Sequence, residues 1–160
     1  MTLVIRAVPW DDPAGEALRI AQQSEVSARY GIPDSEPGPK PTAFDIAVFL
    51  VAFDVPDDGA DIPVGCGGLR QLDSAHGEIK RMYVIPERRG TGVSTAVLTA
   101  LEGEARGRGW QRLVLETGDE QPDAVRFYER EGYTSIPLFG YYVDSPLSLC
   151  YEKVLKPLSS

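Results

Sequence analysis

The segment that most limits what this chain can become is residues 82–109, MYVIPERRGTGVSTAVLTALEGEARGRG. It begins as a strand, breaks at Pro86 and passes Arg88, Arg89, Gly90 and Gly92. It then takes on helical spacing, with Val93, Val97, Ala100, Leu101 and Ala105 on one face. A helix that starts on such a turn exposes N–H groups with no partner inside the helix, and its dipole favours negative charge at that end. The two glycines let backbone approach a guest closely because they carry no Cβ, and the two arginines add charge. Each charge-assisted hydrogen bond contributes about 1.5–3 kcal/mol, so a few of them can anchor a pyrophosphate. The elbow therefore predicts a bound anion, phosphate above all.

The rest of the protein repels such a guest. The 160-residue chain carries a formal charge of −8, which disfavours general nucleic-acid binding. Its length predicts a single domain over residues 1–160, with a core that needs no staple. The longest apolar run, FDIAVFLVAFD at 44–54, falls short of the roughly 18 residues of a membrane span, so no membrane partner is expected. No basic region leads into an apolar stretch at the N-terminus, and the chain reads as cytoplasmic. Cys66 and Cys150 sit in apolar, strand-like segments and read as small buried hydrophobes. No Cys/His cluster calls for a metal, and the one histidine, His76, falls in a turn.

The remaining pattern predicts a strand at 3–8, a helix at 14–30 stopped by Gly31 and Pro33, and a proline-rich loop at 31–43. Three strands at 44–54, 63–72 and 77–85 follow, joined by the turn sequences PDDGAD and DSAHG. After the elbow come a helix at 92–106, a buried strand at 112–117, a helix at 121–132, and strands at 133–138 and 147–155. This order predicts an α/β (α+β) fold: a central mixed, mostly antiparallel, twisted sheet flanked by helices.

Two phosphate motifs fail at the elbow. A P-loop needs GxxxxGK[ST], and no lysine follows the second glycine. A dinucleotide fingerprint would need a third glycine at Thr95 and would follow the first strand of a βαβ unit, not an antiparallel meander. The elbow does contain R-x-x-G-x-[GA], as Arg89-Gly90-Thr91-Gly92-Val93-Ser94, with EIKRMYV before it and LVLET and QPDAVRFYEREGY after it. With those surroundings, over about residues 44–155, the sequence resembles the GCN5-related N-acetyltransferases (GNAT). The ending GYYVDSPLSLCYEKVL is similar to a bacterial, small-molecule-type subgroup of them. Two positions depart from the family pattern: Ser94 stands where Gly or Ala is usual, and Gln121 where the later helix usually has Asn. Serine still fits a tight helix start, and glutamine keeps the amide at longer reach.

The resemblance implies a GNAT-like acyl-CoA N-acyltransferase fold and an enzyme that moves acetyl from acetyl-CoA to a primary amine. Carried over position by position, it implies that Arg88, Arg89, Gly90, Thr91, Gly92, Val93 and Ser94 hold the pyrophosphate. The main chain at Met82, Tyr83 and Val84 would pair with the pantetheine arm of CoA, and Gln121, Phe127 and Tyr128 would complete the cofactor site. Tyr128 matches the family tyrosine that donates to the departing thiolate. Tyrosine titrates near 10 and a thiol near 8.5, so full proton transfer is uphill and Tyr128 acts as a hydrogen-bond donor as much as an acid. An amine that arrives protonated also needs a base. Glu78, opening EIKRMYV, and Glu116, closing LVLET, both match positions where family members place one. Strand alternation puts Glu78 on one face with Lys80, Met82 and Val84, and Glu116 on one face with Val114. Cys66 and Cys150 lie on other strands, so attack is expected to be direct, without a covalent enzyme intermediate.

The acceptor is expected to be a small-molecule or peptide amine, bound in a groove drawn from Glu25, Arg29, Tyr30, residues 31–43 and residues 137–146. Within the last of these, Tyr141, Tyr142 and Asp144 form an aromatic and acidic cluster. A homodimer also fits the resembling family. The alternatives are a CoA-binding sensor or partner domain without catalysis, and transfer of another acyl group.

Overall fold

The computed structural model describes residues 2–31 and 39–157. The elements run β1 (Thr2–Ala7), α1 (Pro13–Tyr30), β2 (Ile46–Val55), β3 (Ile62–Gln71), β4 (His76–Val84), α2 (Val93–Gly107), β5 (Arg112–Gly118), α3 (Pro122–Arg130), β6 (Thr134–Ile136) and β7 (Ser148–Val154). Short 3₁₀ turns occupy Pro86–Arg88 and Gly140–Tyr142. The strands form one sheet in the order β1-β2-β3-β4-β5-β7-β6. Every pairing is antiparallel except β4 with β5. This is the fold class the sequence predicts.

Strand β2 explains why helices cover both faces. Val48, Leu50 and Ala52 join a core with Val97 and Leu101 of α2 and Tyr128 of α3, while Phe49 and Val51 pack with Leu18 of α1 on the opposite side. A strand buried on both faces reads as a continuous apolar run, as this one does. Each of these side chains contributes about 1.5–3 kcal/mol by leaving water.

Local chemistry sets the helix ends. Asp12 caps α1, its Oδ2 accepting from the N–H groups of Ala14 and Gly15 at 3.1 and 3.3 Å, with Pro13 in the first turn. The buried face of α2 differs slightly from the expected one, since Leu98 is buried and Ala100 only partly so. Glu102 is buried on the same face because the Tyr133 hydroxyl and the Lys153 ammonium donate to it at 2.8 and 3.1 Å.

Two irregularities in the sheet shape the site. In β4, Arg81 adopts φ 60°, and the register with β3 slips between Cys66 and Gly68, leaving one extra residue on β4. This bulge corrects the simple alternation expected for EIKRMYV. Met82 and Val84 pack with Ile79 in the core shared with α2, so they do not lie on the face of Glu78 and Lys80. The second irregularity is a parting of strands. β4 and β5 pair only over His76–Glu78 with Arg112–Val114, after which β5 continues alongside β7.

Candidate active site

Where β4 and β5 part, a cleft of about 140 Å³ opens. It is lined by Lys80, Met82, Glu116, Thr117 and Tyr128, among others. Against it lies a larger cavity of about 570 Å³, bounded by the elbow, α1 and α3. The two spaces share Gln22, Val26, Met82, Gln121, Ala124 and Tyr128. A molecule in the larger cavity would thus meet one in the cleft beside Met82 and Tyr128.

The larger cavity suits an elongated anion. Gly92 caps α2 at φ 90° with no side chain bonded to the helix start, and Gly90 sits at φ 76°. A Cβ at either glycine would meet nothing within 4 Å, so it is the left-handed backbone, and not crowding, that calls for glycine there. Among the residues predicted for the cofactor, Met82, Tyr83, Val84, Arg88, Arg89, Gly90, Gly92, Val93, Ser94, Gln121, Phe127 and Tyr128 all line this cavity. Thr91 is not among the lining residues; its hydroxyl donates to the Arg88 carbonyl and tightens the turn.

The charge of the elbow is not free. Arg88 pairs with the buried carboxylate of Asp54, and Arg89 donates to Glu25 of α1 at 2.6 Å. The Arg89 hydrogen bond holds the Glu25 carboxyl below the usual carboxylate range. Glu25, expected at the acceptor groove, therefore faces the elbow. The main chain of β4 is also engaged, since the Met82 carbonyl accepts from Gln22 Nε2 at 2.8 Å and the Val84 carbonyl from Arg89 Nε at 3.0 Å. Each carbonyl retains a second lone pair.

Tyr128 is 7% exposed, stacked edge-on against Phe127 and Tyr133, and burial pushes its hydroxyl pKa up. It stays protonated near neutral pH. The two glutamates have different surroundings. Glu116 lines the cleft, and its Oε2 accepts from Ser148 Oγ at 2.5 Å. Glu78, 3% exposed, lines neither cavity; its Oε2 accepts from the Tyr142 hydroxyl at 2.7 Å, with Lys80 Nζ at 3.7 Å and Arg70 Nη1 at 3.6 Å. Tyr142 is thus a buried link between Glu78 and Lys80, while Tyr141 and Asp144 are exposed, and none of the three lines either cavity. Tyr30 does reach the cleft, but Arg29 lines the larger cavity, and residues 32–38 of the predicted groove lie outside the described residues.

His76 pairs with Asp73 at 2.7 Å in an exposed turn. Burial pushes the Cys66 thiol up to about 12 and raises Cys150 as well, which removes both as nucleophiles near neutral pH. Among the described residues no group of three or more His, Cys, Asp or Glu could hold a metal ion, and no helix is long and apolar enough to cross a membrane. Sequence reasoning passed over Gln22 and Ser148. A signal for the first existed: Gln22, Glu25, Val26 and Arg29 recur at helical spacing and together line the larger cavity.

Comparison with known proteins agrees with this arrangement. Residues 19–133 match the model of the acetyltransferase (GNAT) family, and the chain belongs to that family. Over 93 residues it is 40% identical to the IAA acetyltransferase of Azospirillum brasilense, a stretch covering 58% of this chain and 61% of that protein. A Klebsiella pneumoniae protein described as an acyl-CoA N-acyltransferase superimposes with a TM-score of 0.80 at 29% identity, covering 97% of this chain and 99% of its own. A GNAT-family acetyltransferase of Elizabethkingia anophelis, solved with acetyl-CoA bound, shares the fold at 15% identity with a TM-score of 0.67, over 96% and 98% of the two chains.

Proposed function

We propose that the chain is an acetyl-CoA-dependent N-acetyltransferase that passes acetyl directly to a primary amine, with Glu116 as base and Tyr128 as donor to the leaving sulfur. The observation that carries this reading is the meeting of an anion-suited cavity and a carboxylate-bearing cleft at Tyr128. Acetyl-CoA, when bound, supplies the thioester carbonyl. Gly90 to Ser94 and the bare start of α2 would offer N–H groups to its pyrophosphate, and the main chain of Met82 to Val84 would hold its pantetheine arm.

The hydrogen balance fixes the remaining roles. An ammonium carries three N–H hydrogens and the amide product one. Glu116 takes the first proton, freeing the lone pair that forms the C–N bond, and passes it to solvent. The second leaves nitrogen once that bond exists and ends on the sulfur when the C–S bond breaks, so one proton is released to solvent per turnover. Tyr128, raised by burial, stays protonated and stabilises the departing sulfur by a hydrogen bond. The acidic balance of the chain suits a cationic amine in the cleft. We place the protein in the cytoplasm and regard a homodimer as compatible with this chemistry.

Release of free CoA over a panel of amines tests the reading, with Tyr128→Phe as control. Turnover that falls in the variant supports it. Protein that binds acetyl-CoA yet turns over no amine is a sensor instead, and a product mass other than +acetyl from a mixed acyl-CoA pool reassigns the acyl group.

A further inference from the structure

We propose that Gln22 accepts the one N–H hydrogen of the acceptor that survives the reaction, and so selects primary amines over secondary amines and alcohols. The proposal rests on the reaction described above. Gln22 lines both cavities, beside Met82 and Tyr128. Its amide is oriented by the protein, because Nε2 donates to the Met82 carbonyl at 2.8 Å. Exchanging the two amide atoms would set two acceptors face to face, which fixes Oε1 as the acceptor on the other arm. That oxygen is buried and has no hydrogen-bond partner. A buried amide oxygen without a donor is uncommon in folded proteins and calls for a ligand or a water.

The hydrogen count says which donor suits it. Glu116 is a carboxylate and can take the hydrogens that leave. An amide oxygen is not protonated near neutral pH, so it suits the hydrogen that stays on nitrogen from ammonium to amide. A secondary amine gives a tertiary amide and an alcohol gives an ester, and neither product keeps such a hydrogen. A secondary amine still holds one N–H at attack but must shed it, and an alcohol sheds its only hydrogen, so either one leaves Oε1 unpaired as the product forms. A site built around a polar contact rejects analogues that lack it far better than an apolar pocket rejects an extra methyl group.

The test compares ethanolamine, putrescine and glycine methyl ester with their N-methyl derivatives, using the wild type, Gln22→Met and Gln22→Glu. Acetyl-CoA affinity is measured separately by calorimetry without acceptor. The wild type should prefer each primary amine. Gln22→Met should narrow the kcat/KM preference for each primary amine over its N-methyl derivative about tenfold, whatever loss common to both follows from the missing bond to Met82. Gln22→Glu gives up the bond to Met82 but keeps acceptor oxygens, so it should retain the preference. Equal wild-type rates for an amine and its N-methyl derivative overturn the proposal without any variant, whether or not Gln22→Met folds. Loss of preference in both variants assigns Gln22 to supporting Met82 alone, and weakened cofactor binding with the preference intact assigns Oε1 to the pantetheine arm; each result overturns it. Wild-type protein inactive on every amine removes the reaction and this proposal together, whereas turnover with unchanged preference in Gln22→Met removes only the proposal.

Discussion

Glu78 and Glu116 stand on either side of the point where β4 and β5 part. Glu78 occupies the last paired position, opposite Val114, and Glu116 lies two residues further along β5. On the paired side the sheet is sealed, so a carboxylate survives there only with buried partners, which Tyr142, Arg70 and Lys80 provide. On the open side the same kind of residue borders a cleft, where Ser148 donates to it. The end of a strand pairing, more than the residue type, thus decides which carboxylate is enclosed and which borders the cleft.

The sharpest way to break this comparison is to exchange the two losses. Glu116→Gln should lower kcat/KM by about 10²–10⁴-fold with little change in melting temperature. Glu78→Ala should do the reverse: removing one partner from a buried ionic cluster costs about 3–5 kcal/mol in a denaturant titration, with the folded fraction still active. If Glu78→Ala abolishes turnover at unchanged stability, the two roles are exchanged.

A smaller effect probes the wall of the open side. Tyr30 closes over the end of β5, its hydroxyl accepting from the Glu120 N–H at 2.9 Å, and a Cβ on Gly118 would lie 1.7 Å from that hydroxyl. Gly118→Ala should therefore displace Tyr30, costing about 1–3 kcal/mol and raising KM for the amine. Tyr30→Phe, which removes only the hydrogen bond, should cost about 0.5–1.5 kcal/mol. Equal effects of the two changes would show that the close approach itself is unimportant.

The smallest effect lies at the exposed ion pair of Glu25 and Arg89. Such pairs contribute under about 1 kcal/mol, so Glu25→Gln should lower stability only slightly at neutral pH. Because the folded-state pKa of Glu25 is depressed, its contribution is present above the ordinary carboxylate range and is lost as pH falls through the lowered value. Melting curves of the wild type and variant should converge on acidification, and a gap that widens instead would contradict the pairing.

The order of elements was legible because each one carries local signals: Asp12 and Gly31 bracket α1, and the run Val48–Ala52 marks a strand buried on both faces. Most of the lining of the larger cavity was legible through the elbow and its resemblance. The bulge at Arg81 was not, since EIKRMYV reads as an unbroken strand and an arginine at φ 60° gives no glycine signal. It moved Met82 and Val84 to the face of Ile79. The counter-charges of the elbow were equally hidden, because Asp54 and Glu25 lie 34 and 64 residues away from Arg88 and Arg89. Such pairings depend on register and packing across the whole sheet, which no local window contains.

Those counter-charges also bear on how the elbow responds to its surroundings. A phosphate that enters exchanges one oxyanion for another at Arg88 and Arg89, so the number of mobile ions released to bulk water is small. Capture then depends on the fixed N–H groups at the start of α2 and on the shape of the turn, interactions too short in range for dissolved salt to screen. Added salt would then act mainly by screening the chain's net charge of −8, which repels the ligand, and not by competing for the two arginines.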